Sequence, residues 1–170
     1  ETRASRYIHS PLLDDLLPNT EYYFEVWNGK QNLTAGVFAT LSSKEMEKNI
    51  VMITGGDVGT MDDAHTMTAM VAQFQPDAIL IGGDYAYDNG IAACYPSFDI
   101  LFNMFAGVNA NVGRIIPLII SFGNHDIGFN AFQNGPYDPS QNLLSLFFPQ
   151  HTSPKKTVPE PADRLTYFYH

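Results

Sequence analysis

Ile50-Val51-Met52-Ile53 leads into Gly55-Gly56-Asp57, Ala78-Ile79-Leu80-Ile81 leads into Gly82-Gly83-Asp84, and the run Ile115 to Phe122 leads into Gly123-Asn124-His125-Asp126. Each is a short apolar run rich in branched side chains that stops on glycine and an acid or amide, so each reads as a strand ending in a polar turn. Helices fill the intervals. Thr60-x-x-Asp63 is placed to cap one, with Ala64, Met67, Met70, Val71 and Phe74 at helical spacing until Pro76. Pro96 opens a second, with Phe98, Leu101, Phe102 and Phe105 on one face and Gly107 expected at its end. The polar ends lie 27 and 40 positions apart. Three such units in a row predict an α/β fold with neighbouring parallel strands joined by right-handed crossovers.

Upstream the pattern is different. Tyr22, Phe24 and Val26 alternate with Tyr23 and Glu25 at period two, after a turn at Leu17-Pro18-Asn19-Thr20, and Gly36 to Thr40 reads as a further strand. The expected organisation is a β unit over residues 1–41, a linker or short helix over 42–49, and the α/β region over 50–170. Downstream the chain loosens through Gly135 to Pro139 and Pro154-Lys155-Lys156, with a short helix expected from Asn142 to Phe148. Leu165 to Tyr169 reads as the start of another strand.

The 170 residues are 45% apolar and 16% charged, which fits a folding globular chain and excludes a disordered tail. No apolar run approaches the roughly 18 residues of a membrane-spanning helix, so no membrane partner is expected. A net charge of −9 with no basic cluster beyond Lys155-Lys156 argues against nucleic acid as a partner. Cys94 alone makes no internal disulfide. Glu1 to Ala4 has none of the apolar character of a signal peptide, and the chain opens as if in mid-domain. The Asn32-Leu33-Thr34 sequon is the one feature pointing to a secretory route.

Open α/β sheets place ligands at the carboxyl ends of their strands. Asp57, Asp84 and Asn124 would share that crevice, where glycines allow close approach of the backbone. Two carboxylates brought together repel and raise each other's pKa, so a multivalent cation is their natural partner. Each residue alone has an ordinary structural reading: an Asp after a strand is a turn or capping residue, and a tyrosine is packing. Their order, each at a strand end, is what singles out a metal site.

These motifs carry a resemblance. Asp57-Val58-Gly59, Gly83-Asp84-Tyr85-Ala86-Tyr87 and Gly123-Asn124-His125-Asp126 resemble the first three motifs of the calcineurin-like metallophosphoesterases. Within that superfamily the commoner first motif is Asp-x-His. Here position 59 is Gly, and Tyr87 stands three residues after Asp84, which resembles the purple acid phosphatases. The resemblance implies a four-layer α-β-β-α sandwich and a binuclear centre of Fe3+ plus a divalent ion, iron, zinc or manganese. It makes Asp57 and Tyr87 ligands of the ferric ion, Asp84 the bridge and Asn124 a ligand of the second ion. It makes His125 the residue that contacts phosphate and assists the leaving alkoxide. The implied reaction is hydrolysis of small phosphate monoesters, a metal-activated hydroxide attacking phosphorus in line. Upstream, Leu17-x-x-Thr20-x-Tyr22-x-Phe24-x-Val26 resembles the late strands of a fibronectin type III sandwich, with Tyr22 at the tyrosine corner.

The family's later Val-x-x-His and Gly-His-x-His motifs do not occur, so the chain is expected to be an N-terminal portion of a longer enzyme, with four of the seven expected ligands and its activity alone an open question. Alternatives are a non-catalytic binding module with a vestigial metal site, or a phosphodiesterase or protein phosphatase of the same superfamily. The family implies a secreted, lysosomal or vacuolar setting. Asp88, Asn89 and Asp126 are read as loop hydrogen-bonding residues, His9, His65 and His151 as solvent-facing, and Cys94 as a packed or free thiol.

Overall fold

A computed structural model of the chain describes residues 7–91, 94–127 and 143–148. Two antiparallel strands, β1 (Glu21–Asn28) and β2 (Gln31–Ala39), form a hairpin. Its two-residue turn begins at Gly29 with φ 59, the position a type II′ turn reserves for glycine. Alternation puts Tyr22, Phe24 and Phe38 on one face, where the Tyr22 and Phe38 rings stack at 5.5 Å. Gly36, opposite Phe24 in register, leaves the space that ring occupies; a Cβ there would come within 2.8 Å of it. The Leu17 backbone N–H donates to Tyr22 Oη at 2.8 Å. The stretch expected as linker or short helix holds one 3-10 turn, Lys44–Met46.

The second sheet is parallel, with β3 (Met52–Gly55), β4 (Ala78–Ile81) and β5 (Leu118–Ile120) as neighbours in chain order, as the three strand-then-acid runs predict. β3 begins two residues later than Ile50, and β5 is shorter than the run Ile115 to Phe122. Ile115 is drawn instead to the hairpin, donating its N–H to the Val37 carbonyl at 2.7 Å. In register, Ile53, Ile79 and Leu118 share a face with Ile81 and Ile120. That face packs against α1 (Asp62–Val71) and α2 (Pro96–Val112) and forms the core with Tyr85, Leu143 and Leu144. Leu143 and Leu144 begin a short helix, α3 (Leu143–Phe147). The opposite face carries Thr54, Leu80 and Ile119, and is open to solvent at Thr54 and Leu80.

The helices correct three expectations. Thr60 does not cap α1: Met61 is the N-cap with no side-chain bond, and Asp62 and Asp63 instead place negative charge on the first turn. Its buried stripe is Ala64, Thr68 and Ala72, spaced by four, whereas Met67, Met70 and Phe74 lie on the exposed side. The stripe of small residues lets α1 pack closely against α2, its main neighbour. Gly107 does not end α2. Val108 beyond it is buried, and at roughly 1.5–3 kcal/mol per buried apolar side chain that contact offsets the ~1 kcal/mol a glycine costs inside a helix. α2 ends at Gly113, φ 86, whose N–H returns to the Asn109 carbonyl at 2.8 Å. No helix among the described residues is long and apolar enough to cross a membrane. The strand expected at Leu165 to Tyr169 lies outside the described residues.

Candidate metal centre

The pairing of β3 with β4 continues past the strand ends. Asp57, Val58 and Gly59 donate their N–H groups to the carbonyls of Gly83, Asp84 and Tyr85 at 3.1, 2.9 and 2.9 Å. The turn after β3 therefore lies alongside the turn after β4, which brings the Asp57 and Asp84 loops together. The turn after β5 is pressed against the same place. A Cβ on Gly83 would collide with the Gly123 backbone, and a Cβ on Gly123 with the Asp84 carboxylate and N–H. Only glycine at both positions permits that approach.

Asp126 fastens the turn after β5 to the turn after β4. Its Oδ2 accepts from the N–H groups of Asp84 at 2.7 Å and Gly123 at 2.9 Å, and its Oδ1 from Tyr85 N–H at 3.0 Å. Burial pushes the Asp126 carboxyl up, and the three N–H groups, Gly123 first, pull it back. The fully buried Tyr85 beside it donates its hydroxyl to the Ile81 carbonyl at 3.0 Å. Loop hydrogen bonding, expected for Asp126, is what it does, and the Gly123-x-x-Asp126 spacing is the signal for it.

Of the residues expected at the site, Asp57 and Tyr87 meet directly, Tyr87 Oη donating to Asp57 Oδ1 at 2.8 Å. That bond, then burial, then the charges of Asp57, Asp84 and Asp126 push the Tyr87 phenol up to about 12, so it stays protonated at neutral pH without a cation. Asp84 is buried and accepts the His125 N–H through Oδ1 at 2.9 Å. The His125 ring lies 4.3 Å from the Tyr87 ring, centroid to centroid. Asn124 is exposed in the same turn. Four loop residues hold left-handed backbone: Asp57 (φ 51), Asp84 (φ 55), Tyr87 (φ 52) and Asn89 (φ 54).

Of the other two neighbours, Asn89 bonds within its loop as expected, its Nδ2 donating to the Tyr87 carbonyl at 3.3 Å, and Asp88 does not. Asn89 sends its Oδ1 to His125 Nδ1. Asp88 is fully buried and neither carboxylate oxygen has a hydrogen-bond partner among the described residues. Burial, with the Asp126 charge beside it, pushes it up to about 7; its own N–H and that of Gly90 lean toward it without completing a hydrogen bond. Neither role is legible from residue type alone. His9 and His65 are exposed and Cys94 is a free, half-buried thiol, as expected. His151 lies outside the described residues.

The donors suit a hard cation. At metal–oxygen distances of roughly 2.0 Å, two oxygens at right angles on one ion stand about 2.8 Å apart, the separation of Tyr87 Oη and Asp57 Oδ1. Gly59 adds to the fit, because a Cβ there would point at the Tyr87 ring, 3.8 Å away. The φ of 65 at Gly59 is one that glycine adopts without strain. Among the described residues, no three His, Cys, Asp or Glu side chains converge on one point. Two carboxylates, a phenol and an amide oxygen make up the set, and only the two carboxylates belong to those types.

A search of curated proteins returned no match. The family model of the calcineurin-like phosphoesterases matches residues 56–164, a span that takes in all three strand-end clusters and well over half of the chain. The chain belongs to the calcineurin-like phosphoesterases, a family of metal-dependent phosphoester hydrolases.

Proposed function

We propose that the protein is a phosphomonoesterase of the purple acid phosphatase type, with a ferric ion held by Asp57, Tyr87 and Asp84 and a divalent ion held by Asp84 and Asn124. The observation that carries this reading is the 2.8 Å contact of Tyr87 Oη with Asp57 Oδ1, with the ring of Tyr87 beside the glycine at 59. When bound, the two ions would neutralise phosphate oxygens and lower the pKa of a water enough for it to act as nucleophile. The chain's own residues supply orientation. Asp84 is fixed from both sides, its N–H on Asp126 and its carboxylate on the His125 N–H. His125 then faces the crevice from the turn after β5 and transfers a proton to the departing alkoxide.

The open second face of the parallel sheet, at Thr54 and Leu80, supports the four-layer arrangement, since parallel sheets are ordinarily covered on both faces. The Leu17–Tyr22 bond has the form of a tyrosine corner and supports a fibronectin type III-like β unit before the catalytic domain. Asn32 of the sequon is exposed on β2, which suits glycosylation on a secretory route.

The test is a visible spectrum, metal analysis and phosphate-release assay of the full-length protein reconstituted with ferric and zinc ions, beside its Tyr87→Phe variant. Expected are a broad purple band lost in Tyr87→Phe, about two metals per chain, and release of phosphate from a phenyl phosphate. A colourless protein that binds two zinc ions would remove the iron. A protein that takes up no metal would overturn the reading.

A further inference from the structure

His125 has two nitrogens, and only one can serve a leaving group in a given pose. The ring is held at Nδ1 by Asn89 Oδ1, which reaches across from the turn after β4. Asn89 is itself oriented, because its Nδ2 donates to the Tyr87 carbonyl at 3.3 Å. With the amide NH2 committed there, the side chain presents its oxygen to the imidazole. An amide oxygen accepts and cannot donate, so the hydrogen in that contact belongs to Nδ1. In the neutral ring the lone pair is then on Nε2.

The remaining restraints agree. The His125 backbone N–H is tied to Asp84 Oδ1, and the face of its ring rests near Tyr87. Backbone, ring face and Nδ1 are thus fixed by three residues of one turn, 84 to 89. The φ of 54 at Asn89 is one that asparagine adopts more readily than most residues, and it is what turns the amide inward. A neutral acceptor also suits the surroundings. Asp57, Asp84, Asp88 and Asp126 already crowd this end of the sheet, and a carboxylate at 89 would add another negative charge where a phosphate ester must approach.

We propose that Asn89 is a positioning residue for His125: it fixes the ring orientation and keeps the Nδ1 hydrogen on its own amide oxygen in both the neutral and the protonated ring, so that the protonated ring gives its Nε2 hydrogen to the leaving alkoxide and returns to the neutral Nδ1–H form. This rests on the phosphomonoesterase reading above, and the test separates the two. Asn89→Gly removes the amide and tolerates the left-handed backbone; Asn89→Asp keeps both the backbone and an acceptor oxygen.

Nitrogen-15 spectra of the histidine side chains in the metal-free protein read the tautomer directly. The wild type and Asn89→Asp should show His125 as Nδ1–H, and Asn89→Gly should shift it toward Nε2–H. In the protein loaded with ferric and zinc ions, Asn89→Gly should lower kcat for phenyl phosphate by about 10- to 100-fold with KM little changed, the usual scale for losing a partner that orients a working histidine. The loss should shrink toward nothing for 2,4-dinitrophenyl phosphate, whose leaving group needs no proton, and Asn89→Asp should recover part of it. An unchanged tautomer in Asn89→Gly, or one uniform rate loss across all leaving groups, would overturn the proposal. If the wild type hydrolyses no phosphate ester while the tautomer still switches, the phosphatase reading falls and Asn89 stands as the residue that sets the ring.

Discussion

Asp126 holds the turns after β4 and β5 together, and the cost of removing it can be worked from its contacts. Three backbone N–H groups, of Asp84, Tyr85 and Gly123, converge on it at 2.7, 3.0 and 2.9 Å. Asp126→Ala leaves all three donors without an acceptor at about 1–3 kcal/mol each, while relieving part of the cost of burying a charge. The net loss is about 3 kcal/mol, or a fall in Tm of about 6–12 °C for a chain of this size. Asp126→Asn separates acceptor count from charge. Its one oxygen serves best at the Oδ2 position, keeping Asp84 and Gly123, and its NH2 then faces the Tyr85 N–H, donor against donor. About 1.5 kcal/mol should be lost, or about 3–6 °C. Thermal unfolding of the metal-free protein by circular dichroism orders the three: wild type, then Asn, then Ala. If Asn falls as far as Ala, the charge and not the number of accepted hydrogen bonds holds the turns. If neither moves Tm by more than about 1 °C, the turns are held by something else.

Two further expectations follow from the same region. Gly83→Ala drives a Cβ into the Gly123 backbone at a position with φ 107, so it should cost about 3 kcal/mol or more and reduce ferric uptake, whereas Gly107→Ala on the open side of α2 should not destabilise; urea midpoints of the two variants check this. Asp88, raised to about 7 by burial, is tolerated as the neutral acid, so its penalty is absent below the ordinary carboxylate range and grows as pH rises toward 7. Its full value is about 4 kcal/mol, which water screening reduces to about 2. Asp88→Asn should therefore stabilise the metal-free protein by that amount at pH 8 and by little at pH 4; an equal difference at both pH values would show that ionisation is not the cause.

The parallel sheet was legible because its strands are uniform apolar runs, and the hairpin because Tyr22, Phe24 and Val26 alternate. What sequence could not fix was which helical stripe is buried. Periodicity weighs Met67 and Phe74 as apolar, but the close packing of α1 on α2 leaves Ala64, Thr68 and Ala72 as the buried stripe. Glycine marked the end of α2 too early because Val108 gives the helix a reason to continue. At the site, the contact of Asp57 with Tyr87 joins residues that motif order had already put side by side. Asn89 and Asp88 were not legible, since a turn residue's partner depends on φ and on a loop 36 positions away.

Left-handed backbone at Asp57, Asp84, Tyr87 and Asn89 bears on how mutagenesis of this protein is read. Alanine scanning, the usual first choice, would confound two effects here, because alanine both deletes the side chain and resists the local conformation. Gly or Asn at 57 and 84 keeps the chain path while changing the chemistry, and a random library would return Gly, Asn and Asp at these positions for steric reasons alone. Tyr87 has no such excuse: a bulky aromatic pays for that φ in a place where glycine would be easier, so a preference for tyrosine there in a selection for activity would be a signal from its hydroxyl.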